Sequence, residues 1–154
     1  MMDFDETDLV ILRILQEAGN LSNAELARRI NLSPPATHAR VRRLEELGVI
    51  RQYAALLERE RMGYDMLCFI HISLQRHQPE QVESVRAAIL QMPEVLECYH
   101  VTGEYDYLLK VVIRNRKDLE RFVVERLTPV PGIARIHTSL VLSEVKSTTA
   151  MPVE

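Results

Sequence analysis

The sequence predicts an α+β chain in two parts: three short helices forming a helix-turn-helix over residues 1–62, then a ferredoxin-like βαββαβ sandwich over 63–146, with a tail at 147–154. Three observations predict it. Apolar residues in the first fifty positions recur every three or four places, the repeat of a helix face. Two serines, Ser22 and Ser33, stand where helix caps belong. After Gly63 the pattern changes to alternation, the period of a strand.

From Asp5 to Ala18, Leu9, Leu12 and Leu15 fall on one helix face with Val10 and Ile11 beside them; Asp5 or Thr7 caps the start and Gly19 ends it. The second helix begins at Ser22. Its S-x-x-E spacing to Glu25 predicts a capping box, in which the hydroxyl accepts from a backbone amide and the carboxylate reaches back. Leu26 and Ile30 give this helix its core face. Ser33-Pro34 then opens a third helix, because proline's missing N–H is no loss at the first helical position. That helix runs to about Leu47 and stops at Gly48. Val41, Leu44 and Leu47 form its buried stripe, leaving Pro35, His38, Ala39, Arg42, Arg43 and Glu46 outside. Val49–Leu56 reads as a strand and Glu58–Gly63 as a charged link.

Beyond Gly63, Met66, Cys68, Ile70, Ile72 and Leu74 line one face of a strand, and Leu67, Phe69 and His71 the other. A helix over Pro79–Gln91 turns Val82, Val85, Ile89 and Met92 inward. Val95–Thr102 and Tyr105–Ile113 are strands joined at Gly103-Glu104 as a tight hairpin. Lys117–Leu127 is helical, and Gly132–Val145 is a final long strand.

Composition excludes several classes. Hydrophobic residues at 47% and charged residues at 27% do not fit a disordered or collagen-like chain. No apolar run reaches the ~18 residues of a membrane span, and the acidic start does not read as a secretory signal, so a cytoplasmic protein with no membrane partner is expected. Cys68 and Cys98 are too widely separated for a zinc ribbon or redox pair and read as reduced core residues. Of His38, His71, His77, His100 and His137, none stands three or four residues from another, so no metal site is expected.

The net charge of −3 argues against coating nucleic acid by bulk charge. Against that balance, Ala36 to Leu44 carries Arg40, Arg42 and Arg43 and no acid. A helix of ~14 residues is ~21 Å long, enough to lie across a major groove ~12 Å wide. The amides at its Ser33-Pro34 start suit a phosphate. The expected reading is DNA recognition through Ser33, Pro34, Pro35, His38, Ala39, Arg40, Arg42 and Arg43, with Arg40 nearest the buried edge.

Asn23-Ala24-Glu25-Leu26-Ala27, Leu32-Ser33-Pro34, Arg40-Val41-Arg42-Arg43-Leu44-Glu45 and Gly48-Val49-Ile50 resemble the DNA-binding domain of the Lrp/AsnC family of feast/famine regulators. Val101 to Leu109 resembles the G-x-[YF]-D-Y hairpin of that family's effector domain, and Val130-Pro131-Gly132-Ile133 the segment before its last strand. The resemblance spans residues 5 to about 146. It implies a transcription regulator with a winged helix-turn-helix, a strand-containing hinge and an amino-acid-sensing sandwich. It also implies dimers that assemble further, usually to octamers, with effectors near the hairpin at contacts between dimers.

From the residues alone, Gly103 and Asp106 serve a tight turn as readily as a ligand. The functional reading pairs the Asp106 carboxylate with an α-ammonium and turn amides with an α-carboxylate, the two partners a zwitterion requires. Thr102, Gly103, Glu104, Tyr105, Asp106 and Tyr107 are then the effector residues, with Thr138 and Ser139 on the last strand. No basic residue stands among Thr102–Tyr107, which favours a neutral or basic amino acid; the resemblance suggests leucine or methionine, and no other cofactor is expected. An amino-acid-binding allosteric subunit or enzyme on the same sandwich is the alternative, since fold does not fix function. The basic third helix, and the lack of a G-x-S-x-G or P-loop signature, favour the regulator.

Overall fold

The computed structural model describes residues 4–154 and divides into two compact units, residues up to Leu56 together with Lys146–Glu154, and Leu57–Val145. In the first, α1 (Glu6–Glu17), α2 (Asn23–Ile30) and α3 (Pro34–Glu46) bury Ile11, Leu26 and Leu44 at their common centre. Asp5 caps α1 by accepting from the Asp8 amide. Ser22 caps α2, but the Glu25 carboxylate does not reach back as a capping box would have it: Arg28 and Arg29, one turn on, take it at 2.7 and 3.0 Å. Asn31, left-handed at φ 55°, ends α2 and delivers the chain to Ser33, the cap of α3.

The buried stripe of α3 is displaced from the expected one. Thr37 and Leu44 are buried, Val41 is half-buried and Leu47 is exposed. Thr37 satisfies its hydroxyl inside the helix by donating to the Ser33 carbonyl at 3.0 Å. Leu47 is the C-cap; the chain turns at Gly48 and sends Val49 and Ile50 to the core in its place.

The strand expected over Val49–Leu56 does not form. No second strand of the described chain lies beside it, and a strand without a partner leaves its amides and carbonyls unpaired. The segment is held instead by Tyr53, whose ring lies over Gly19 and whose hydroxyl donates to Glu45 at 3.0 Å. Burial, then the adjoining carboxylate, push its phenol up to about 12. The tail returns to α1: the Gln16 amide both donates to the Met151 carbonyl and accepts from the Met151 amide, at 3.1 and 2.6 Å.

The second unit is β1 (Met66–Leu74), α4 (Pro79–Leu90), β2 (Val95–His100), β3 (Tyr107–Ile113), α5 (Arg116–Arg121) and β4 (Ile133–Leu140), with α5 running on into a π-helical turn at Phe122–Leu127. One antiparallel sheet in the order β2-β3-β1-β4 makes it the ferredoxin-like sandwich. The alternating face of β1 packs with Val85 and Ile89 of α4 and with Phe122 and Leu127.

Three local expectations are corrected. The hairpin is wider than two residues: its strands stop at His100 and Tyr107, and Val101–Asp106 form a loop where the ladder becomes irregular, the Asp106 amide donating to the Ile72 carbonyl on β1 and its carbonyl accepting from the Val101 amide on the other side, each at 2.9 Å. The last strand ends at Leu140 rather than Val145: Leu140 stands opposite Cys68, the Val141 amide still donates to the Leu67 carbonyl at 2.9 Å, and in that register β1, which starts at Met66, has no residue to pair with positions 143–145. Cys68 is buried but Cys98 is exposed, because β2 is an edge strand with only one neighbour.

Gly132 has φ +99°, and a Cβ there would come within 2.4 Å of the Gln81 Cγ on α4. Gly132→Ala is therefore expected to lower stability by about 1–3 kcal/mol, read as a lower urea midpoint. An unchanged midpoint would show that α4 yields freely.

Candidate functional site

Two surfaces, one in each unit, hold the residues singled out from sequence. In the first unit α3 presents Ser33, Pro34, Pro35, His38, Ala39, Arg42 and Arg43 to solvent, with Arg40 half-buried. Ser33 closes the first turn by accepting from the Ala36 amide, and Asn23 of α2 donates to the Pro34 carbonyl at 2.8 Å, fixing the angle at which α3 leaves the turn.

The three arginines are not equivalent. Asp8, on α1, has no exposed side chain, and its carboxylate accepts from Arg40 at 2.9 Å and from Arg43. Arg40 also reaches the capping Asp5 at 2.7 Å. The Asp8 amide bond, then the Arg40 guanidinium, hold the Asp5 carboxyl below its ordinary value; Asp5, then Asp8, raise that of Arg40. Only Arg42 lacks a partner on another helix. It pairs with Glu46 at 2.8 Å across one turn, both side chains largely in water, an association worth little and easily exchanged.

A charge count along α3 therefore overstates the field at its surface, because Asp5 and Asp8 lie 32 to 35 positions away in sequence and beside it in space. Arg51, just beyond α3, was not anticipated as a contact: it is exposed and has no ion pair among the described residues.

In the second unit the Val101–Asp106 loop is organised by Asp106. Its carboxylate accepts from the Leu74 amide at 2.7 Å and lies 2.7 Å from His77 Nε2. Burial would raise this carboxyl, but the Leu74 amide and the His77 ring outweigh it and hold it below its ordinary value. The result is a fixed carboxylate with one firm partner and one, His77, whose side chain is 67% exposed. Gly103 adopts φ +118°, a conformation that favours glycine.

Thr102 and Glu104 are exposed, and Glu104 meets Arg135 of β4 at 3.4 Å. Tyr105 lies among His71, His137 and Arg135, with centroid distances of 5.0, 6.0 and 5.6 Å. Tyr107 is buried and stacks on His100. Thr138 and Ser139 stand opposite Ile70 and Phe69 of β1, so their side chains point to opposite faces of the sheet. Arg135 and His137 are the β4 residues brought to the loop. His77, Arg135 and His137 carry no local signal in the sequence, because only strand pairing places them here.

A family model described as the Lrp/AsnC ligand binding domain matches residues 67–151, and one described as winged helix-turn-helix DNA-binding matches residues 4–51. A leucine-responsive regulatory protein of Rhizobium meliloti is 38% identical over 145 residues, covering 94% of this chain and 93% of that protein. The transcriptional regulator AzlB of Bacillus subtilis is 35% identical over 150 residues, 97% of this chain and 96% of that one. Among solved structures, a transcriptional regulator from Neisseria meningitidis in complex with L-methionine superposes with a TM-score of 0.94 at 39% identity, covering 97% of each chain.

Asp8→Asn is expected to destabilise the first unit by about 2 kcal/mol, less than a fully buried pair because the guanidiniums stay partly in water. Amide exchange in α1 should rise with it; unchanged protection there would exclude the brace. For Asp106 the sign follows from its depressed value. Its contribution to stability is complete above the unfolded carboxyl's value near ~4 and is lost as pH falls below that. Asp106→Asn should flatten the acid limb of the stability profile below about pH 4, and an acid limb identical to wild type would remove the carboxylate from the loop's anchorage.

Proposed function

The chain belongs to the Lrp/AsnC family of DNA-binding transcriptional regulators, and from that membership we propose that α3 reads the major groove while a neutral amino acid, leucine or methionine, binds at the Val101–Asp106 loop. The observation that carries the ligand half is Asp106, a carboxylate kept ionised and in place by the Leu74 amide, whose outward partner His77 an α-ammonium could replace. The similar Neisseria protein is described with L-methionine, which supports the ligand class.

On the DNA side, Ser33, Pro34, Pro35, His38 and Ala39 supply the groove-facing end of α3, and Arg42 and Arg51 supply phosphate contacts. Arg40 and Arg43 chiefly brace the helix, their half-exposed heads remaining within reach of the backbone. The relatives over nearly the whole length are transcriptional regulators, and the chain is not an enzyme.

A dimer, with assembly to an octamer, is part of the same reading. The segment around Leu56 and Leu57 has no strand partner and leaves both leucines exposed, at 75% and 70%, as does the stretch holding Leu142 and Val145, at 95% and 97%. A second copy would cover them, and two-fold association is the commonest solution. Dimeric reading heads call for half-sites about ~34 Å apart or a multiple of it. No helix of the described residues is long and apolar enough to cross a membrane, and a cytoplasmic location fits DNA binding.

The test is DNA binding by the full chain at several salt concentrations, with and without L-leucine and L-methionine. Arg42→Ala and Arg51→Ala should each weaken binding to all sequences and reduce the salt slope by about one, whereas His38→Ala should cost ~1–3 kcal/mol at particular operator positions. Calorimetry should show one amino-acid site per chain lost in Asp106→Ala. Unchanged salt slopes would refute the assignment of α3, and an unchanged number of amino-acid sites in Asp106→Ala would refute the loop site.

A further inference from the structure

At the far end of β3 from the hairpin loop, the second unit contains a cavity of about 140 Å³ between β3, α5 and the segment leading into β1, lined by Tyr64, Glu94, Val112, Asp118, Phe122 and three arginines, Arg114, Arg121 and Arg126. β3 is seven residues long, which at ~3.3 Å per residue separates this cavity from the loop by about 20 Å. The volume is well below the ~300 Å³ at which drug-sized sites begin, so it suits a single small metabolite.

Its charges are unequally committed. Arg126 is held by Glu94 in a two-oxygen contact and sits over the Phe122 ring. Arg121 makes only a 3.4 Å contact with Asp118. Arg114 has no ion pair among the described residues; its guanidinium lies 5.2 Å from the centre of the Tyr64 ring, a contact that leaves its N–H donors free. Asp118 takes its one close side-chain hydrogen bond on Oδ2, from Asn115 at 2.9 Å, so Oδ1 retains acceptor capacity. A free guanidinium, an under-used carboxylate oxygen and an apolar wall of Val112 and Phe122 thus face one small space. The π-helical turn that begins at Phe122 sets the spacing of Phe122 and Arg126 there, and such turns are frequent at functional sites.

We propose that this cavity is a second amino-acid site, contained within one chain: Arg114 takes the α-carboxylate, Asp118 the α-ammonium, and Val112 and Phe122 a small apolar side chain. The site goes beyond the hairpin reading and does not require it, since its walls come from one unit and no neighbouring copy is needed. Occupied, it ties Tyr64, where the chain enters β1, to the start of α5.

The test uses the full-length chain with labelled Val and Ile methyl groups, titrated with L-alanine, L-leucine and L-methionine, and with 4-methyl-2-oxopentanoate, which has leucine's carboxylate and side chain but no ammonium. The Val112 and Ile113 methyl signals are expected to shift saturably with at least one amino acid. Apparent affinity at those signals should fall at least tenfold in Arg114→Ala, recover in part in Arg114→Lys, and survive Asp106→Ala. Asp118→Asn should weaken the amino acid and leave the oxo acid unaffected. No saturable shift with any probe in the wild-type chain would overturn the proposal, as would shifts indifferent to Arg114→Ala or shifts that vanish in a folded Asp106→Ala variant. An oxo acid binding as tightly as leucine would remove the ammonium site at Asp118. Signals from Val101 report the hairpin separately, so failure of one site is distinguishable from failure of the other.

Discussion

Asp8 has no solvent to share its charge, so its carboxylate must be paired, and the cations that pair it come from α3, the helix proposed to read DNA. That requirement fixes α1 against α3. It directs Arg40 and Arg43 inward, leaves Arg42 as the α3 arginine without a partner on another helix, and makes the basicity of the reading surface smaller than the local sequence suggests. With Arg40 and Arg43 braced, the first two turns from Ser33 to Ala39 are held at a set inclination, which direct base reading needs more than it needs bulk charge. The net charge of −3 argues against binding nucleic acid by bulk charge.

The second unit repeats the device with a different purpose. Asp106 is secured on one side by the Leu74 amide and on the other by an exposed imidazole, so its position is set by β1 while one of its hydrogen bonds remains exchangeable. The Asp106 backbone is shared between both sides: its amide donates to the Ile72 carbonyl of β1, and its carbonyl accepts from the Val101 amide across the hairpin, each at 2.9 Å. The loop brings Tyr105 to His71, His137 and Arg135.

Much of this was legible in the chain. The caps Asp5, Ser22 and Ser33 act through short-range bonds within three residues, and β1 was read to its exact bounds because alternation over nine residues has one solution on a half-covered sheet. The βαββαβ order followed from the same periodicities. The failures share one cause. Val49–Leu56 has the composition of a strand, but a strand exists only with a partner; Leu47 has the spacing of a core residue, but Gly48 turns the chain before it is covered; Glu25 has capping-box spacing, but two arginines one turn away compete for it.

The sequence by itself determined the order of elements, their caps and the family's hairpin motif, because each depends on residues within one or two turns of one another. Tertiary structure alone decided which charges are free. Asp8 with Arg43, Asp106 with His77, Glu104 with Arg135 and Glu94 with Arg126 are separated by 29 to 35 positions, beyond the reach of any helical or strand repeat. An arginine's availability to DNA or to a ligand depends on whether such a partner exists. Packing brings those partners together, and no spacing along the chain records it.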